Sequence, residues 1–132
     1  MEVDVKFAKR VFTVAGVWGL LVLTPLYFTF DRIGRLYPPP ITHPDLYFGF
    51  VGLGIAWQVA FLVIARDPVR FHTMMIPAIV EKFAFVASVI VLYAQRRVQL
   101  GQLAVAVPDC LLGALFIVSY VLVGKARRRS RP

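Results

Sequence analysis

Glu81 and Lys82 stand side by side in an apolar run, MMIPAIVEKFAFVASVIVLYAQ, residues 74–95. Two charges in such a run are either at its edge or inside it. If the run entered an apolar phase only after Lys82, the 13 residues Phe83–Gln95 would span about 20 Å as a helix, short of a hydrocarbon core of roughly 30 Å. Arg96-Arg97 blocks extension at the far end. Met74–Val80 must therefore lie in the same phase. Counting from Thr73, Glu81 is about 12 Å deep and Lys82 about 13–14 Å. An unpaired charge there costs on the order of 2.5–3.5 kcal/mol. Neighbours on a helix point about 100° apart, so the two do not pair cleanly with each other and each needs a partner elsewhere.

For Glu81 the candidate is Gln58, about 11 Å deep on the preceding helix, with Trp57 adding an indole donor from the same turn. For Lys82 it is Asp109. If the last helix starts at Leu103, Asp109 lies about 9 Å from the opposite edge, and a lysine side chain covers most of the remaining 7–8 Å offset. If that helix starts at Pro108, Asp109 is only a helix-start residue and the pair fails. Glu81, Lys82, Asp109, Gln58 and Trp57 thus form a candidate proton or polar-ligand site. The same residues read equally well as a strut fixing helix register.

Four apolar stretches position these residues. The expected helices run over about 11–30, 46–65, 73–94 and 103–124, each of the length that crosses a bilayer. The chain has 132 residues and is 59% hydrophobic, with mean hydropathy +0.74. A soluble domain of this size cannot bury four such segments. The fold class is therefore all-α, a single integral membrane four-helix bundle over 1–132. The first stretch lacks a small-x-small cleavage site and stops at Asp31-Arg32, so it reads as a retained helix rather than a secretory signal. Pro25 should kink it. The loop DRIGRLYPPPITHP should be stiff and extended. Tyr27, Tyr37 and Tyr47 fall where an interfacial belt sits. Close-packing faces are expected at Ala15/Gly19 and along Gly52, Ala56 and Ala60. The short RDPVRFH link should make the second and third helices antiparallel neighbours.

The net charge of +8 is explained by orientation. Lys6, Lys9, Arg10, Arg66, Arg70, Lys125, Arg127, Arg128, Arg129 and Arg131 fall on one side, and Arg32, Arg35, Arg96 and Arg97 on the other. Ten against four places both termini in the cytoplasm of a bacterial inner membrane. The basic tail 125–132, with Lys125, Arg127, Arg128, Arg129 and Arg131, is first a topology anchor. It also suits anionic lipid, at about 1 kcal/mol per basic residue near the surface. No folded basic module accompanies it, so nucleic acid is not an expected partner.

The remaining reactive residues have plainer readings. Cys110, the one cysteine, reads as a small packing residue. Asp31, His43, Asp45 and Asp109 match no metal-ligand spacing, and no metal or cofactor is expected. His72 reads as interfacial. PDLYFG (44–49) and PDCLLG (108–113) echo each other as helix openings, either as the relic of a duplicated two-helix hairpin or because proline and aspartate are common at helix starts. No nucleotide loop, nucleophile elbow or haem-ligand pair stands in the chain.

Arg66-Asp67-Pro68 with Arg70, then Lys82, then Pro108-Asp109 in PDCLLGALFIVSY, make residues 45–123 resemble the DoxX-like small bacterial four-helix membrane proteins. Some DoxX-type proteins are similar to membrane subunits of oxidoreductase complexes. The resemblance implies a partner or a quinone-facing role. The expected function is a non-catalytic membrane subunit or assembly partner. The alternative is a small proton-coupled transporter or a lipid- or quinone-like ligand-binding protein, built on Glu81, Lys82 and Asp109. A homo-oligomer is a further expected assembly.

Overall fold

The computed structural model describes residues 1–130. It is helical, with four helices long and apolar enough to cross a membrane. The elements are α1 (Glu2–Leu23), α2 (Phe30–Leu36), α3 (Pro44–Arg66), α4 (Met75–Ala94) and α5 (Leu100–Arg129). Short 3-10 turns at Thr24–Phe28 and His72–Met74 follow α1 and precede α4.

Helix α1 starts at Glu2, nine residues before the expected boundary at Val11. The extra turns are amphipathic. Within them Ala8 is buried and Phe7 packs against the core, while Lys6 pairs with Glu2 one turn away at 2.6 Å. Pro25 does more than kink the helix: α1 ends at Leu23, and the chain continues as a 3-10 turn with proline in its first positions. The loop after it is not extended throughout. Phe30–Leu36 forms the short helix α2, which the triple proline then stops.

Helix α5 starts at Leu100, earlier than either sequence boundary. Gln99 and Gln102 make a reciprocal capping box, with the Gln99 N–H donating to Gln102 Oε1 at 2.6 Å. Pro108 therefore sits inside α5 and opens nothing. The echo between PDLYFG and PDCLLG fails as two helix starts, because only the first opens a helix. The basic run is also helical, through Arg129. Arg131 lies outside the described residues.

The core sits toward the basic end. Ala8, Phe12 and Ala15 of α1, Phe61, Ile64 and Ala65 of α3, Met75 and Ala78 of α4, and Leu112, Phe116 and Val123 of α5 bury into one cluster. At its centre the Phe12 and Phe116 rings stack at 4.2 Å. Phe61 meets them edge-on at 6.1 and 5.0 Å. In the other half, Val86, Val89 and Ala106 form a separate cluster belonging to α4 and α5 alone. There α1 and α3 make their own contacts, with Leu23 against Gly54 and Tyr27 stacked on Phe48 at 5.9 Å.

Helix α1 packs along α3 and α5, and α4 packs along α5. The expected close pairing across the RDPVRFH link is not found, since α3 and α4 touch only slightly. Helices α1 and α5 form the central pair, and α3 meets α4 mainly through long side chains, with the Phe50 and Phe85 rings 6.4 Å apart. The expected Ala15/Gly19 face of α1 is buried, with a Cβ on Gly19 overlapping the Gln58 side chain, and Gly16 beside it is as tight, since a Cβ there would lie 2.9 Å from the Gln58 carbonyl oxygen. The expected ridge on α3 is not buried. Ala56 is exposed, and the residues facing inward are Val51, Gln58, Phe61 and Ala65.

Candidate functional site

Lys82 is the centre of the charged cluster. It is 4% exposed, and its ammonium donates to Asp109 Oδ1 at 2.9 Å. The pair exists because α5 begins at Leu100, which carries Asp109 into the helix body. Gly113, one turn beyond Asp109 on the same face, lets the helices close. A Cβ there would lie 2.9 Å from the Phe83 ring and 3.3 Å from Lys82 Cβ. The second Pro-Asp motif thus has a packing reason that the first lacks, since Gly49 has open space around it. The Lys82 ammonium also lies 5.2 Å from the Phe61 ring centroid, where a cation is attracted to the aromatic face.

Glu81 joins the same cation. Its Oε2 is 3.3 Å from Lys82 Nζ, so the neighbours do make an ionic contact, contrary to the angular expectation. Long side chains bend back over the 100° between their Cα–Cβ directions. The contact is attractive but not aligned as a hydrogen bond, and Oε2 is buried without a donor. Two carboxylates flank one ammonium, which leaves a surplus of one negative charge if all three are ionised.

Gln58 does not reach Glu81 as a partner. Its Nε2 donates to the Gly54 carbonyl one turn back, at 3.0 Å, and its Oε1 is buried without a partner. The side chain fills the space that glycine leaves at position 19, where an added Cβ would overlap it. Gln58 therefore faces α1 rather than α4. Trp57 is half-buried and packs near Phe61, at 6.2 Å between rings. Of the five predicted site residues, the structure brings Glu81, Lys82 and Asp109 together and leaves Gln58 and Trp57 outside the charged cluster.

His72 was missed. It is only 8% exposed, buried within the bundle at the basic end. Its ring stacks on Tyr120 at 4.3 Å, and its two nitrogens contact the Tyr120 carbonyl at 2.8 Å and Arg127 at 3.2 Å. Its partners are 48 and 55 residues away in the chain, so no local spacing announces them. Lys125, Arg128 and Arg129 of the tail are solvent-exposed, and Arg127 is partly buried. Cys110 is exposed on α5 and does not pack as expected. Asp45 lies in the first turn of α3. His43 precedes it, its ring 2.9 Å from the Thr42 hydroxyl. Asp31 and Asp109 do not join them in any cluster of metal-ligating side chains among the described residues.

No family model, curated protein or solved structure matches the chain.

Proposed function

We propose that the protein is a non-catalytic, multi-pass protein of the bacterial inner membrane, with both termini cytoplasmic, acting as a subunit or assembly partner of a larger membrane complex. The observation that carries this reading is the surplus carboxylate. Lys82 is the one cation shared by Glu81 and Asp109, and Glu81 remains about one-fifth exposed at the surface of an apolar helix. In a bilayer such a charge calls for a cation or donor from outside the chain. A neighbouring helix of another subunit supplies one most directly. The exposed Ala56 on α3 gives such a helix a close approach. The DoxX-like resemblance points the same way. Its Asp67 stabilises the α3–α4 turn by accepting the Arg70 N–H at 3.0 Å, its Pro68 is buried, and its Lys82 and Asp109 make the ion pair.

A second reading rests on the Glu81 oxygen that lacks an aligned donor. A proton on this carboxylate, or the polar head of a lipid- or quinone-like ligand at its exposed part, would neutralise or satisfy it as well. The chain is then a small proton-coupled transporter or a ligand-binding protein.

The native mass of the tagged protein, gently extracted from its own membrane, separates the two. A heavy assembly containing other polypeptides is the expected result, and Glu81→Gln should weaken that assembly while the bundle stays folded. A monomer or small homo-oligomer carrying a bound small molecule would instead favour the second reading. Glu81→Gln would then abolish proton-coupled uptake in proteoliposomes.

A further inference from the structure

A cavity of about 370 Å³ opens at the basic end, between the His72–Met74 turn and the last turns of α5. His72, Tyr120 and Gly124 line it, and Lys125, Arg127 and Arg128 bring three cations to it. None of the three has a carboxylate within ion-pair distance among the described residues. The acidic groups at this end are engaged elsewhere. Glu2 holds Lys6, Asp4 lies against the N-terminal ammonium, and Asp67 accepts the Arg70 N–H.

Hydrogen bonding fixes the wall of this cavity. The Tyr120 carbonyl can only accept, so His72 Nε2 carries the proton that meets it at 2.8 Å. The Arg127 guanidinium can only donate, so His72 Nδ1 accepts from Nη1 at 3.2 Å. Both bonds form together only with the neutral Nε2–H ring. That ring holds Arg127 in one orientation and leaves most of its N–H donors unused. Gly124 makes room for it, since a Cβ at that position would come 3.2 Å from Nε2. Val121 also lines the cavity, and Val118 continues its exposed apolar face one turn up α5. A cationic pocket that runs into an apolar track suits an amphiphile better than a free ion.

We propose that this cavity binds the phosphate head group of an anionic phospholipid. Arg127 and Arg128 donate to the phosphate oxygens, Lys125 adds charge, and an acyl chain lies along Val121 and Val118. His72 is a positioning residue, acting through Arg127. The assignment rests on the membrane reading above, with the basic end at the head-group layer.

The test is native mass spectrometry of the full-length protein in detergent, titrated separately with phosphatidylglycerol, phosphatidylcholine and inorganic phosphate. One phosphatidylglycerol should be retained in preference to phosphatidylcholine. Arg127→Gln should lower its occupancy about fivefold, the worth of one basic residue near a membrane surface. Gly124→Ala should lower it too, with every charge kept. Lys9→Gln, at the same end but outside the cavity, should change nothing. Should either variant fail to elute as a folded species, Arg128→Gln on the exposed side of the pocket decides in its place. Equal retention of both lipids, an equal loss with Lys9→Gln, or phosphate binding alone with the same residue dependence would overturn the assignment. Alkaline carbonate extraction checks membrane insertion separately, so failure of the lipid site and failure of the membrane reading are told apart.

Discussion

At the scale of single residues, the Lys82–Asp109 pair is the most consequential contact. Lys82→Met leaves two carboxylates facing each other without their cation. The expected cost is about 3–5 kcal/mol, the usual penalty for breaking a buried pair by removing one partner. Lys82→Met combined with Asp109→Leu should recover most of that loss. Unfolding in mixed micelles, run as a double-mutant cycle, measures both. Single variants each costing under about 1 kcal/mol would show that the pair does not hold α4 to α5. The pair was legible in the sequence because depth along a helix follows from residue count. The Gln58–Glu81 pair was misjudged for a related reason. Their depths match, but depth says nothing about azimuth, and Gln58 turns toward the gap at Gly19 on α1.

At the scale of elements, the ends were harder to read than the middles. The spans were visible as apolar runs, whereas the capping box that starts α5 uses glutamine where serine or threonine is the familiar signal. The end of α4 is equally unannounced. Arg96 takes φ 58°. The Arg97 N–H donates to the Leu92 carbonyl at 2.9 Å and the Arg96 N–H to Tyr93 at 2.9 Å. That is a Schellman closure with arginine in the left-handed position glycine usually fills. Arg96→Gly should therefore stabilise the protein by about 1 kcal/mol, the lower end of the cost of that conformation for a residue with a Cβ. A higher thermal midpoint would bear this out, and an unchanged or lower one would show that the arginine side chain offsets the strain.

At the scale of the molecule, helices α1, α3, α4 and α5 gather three basic segments at one end. The buried cluster joins Ala8, Ala65, Met75 and Val123, which lie beside those segments. Charge asymmetry then predicts that this end is cytoplasmic. With Cys110→Ser as background, an impermeant thiol reagent on intact cells should label Arg35→Cys but reach Ser130→Cys only after permeabilisation. The reverse pattern would invert the topology. Helix number and the gathering of basic segments were readable from the chain, because hydropathy and charge are properties of composition along a line. Packing order was not. A short link between α3 and α4 says that their ends are close, not that their flanks meet, and the stacked phenylalanines of α1 and α5 decide that question.

Helix α5 has 30 residues, about 45 Å at 1.5 Å per residue, against a hydrocarbon thickness of roughly 30 Å. If the bundle spans a bilayer as proposed, the excess length leaves room for its last turns outside the oily layer. Successive residues on those turns are about 100° apart. Arg127, Arg128 and Arg129 therefore have separate compass bearings. Arg127 leans on His72 and lines the cavity with Arg128, while Arg129 is exposed and is not among the lining residues. Three consecutive arginines that look alike in the sequence are a short dial, on which each position is assigned its own direction.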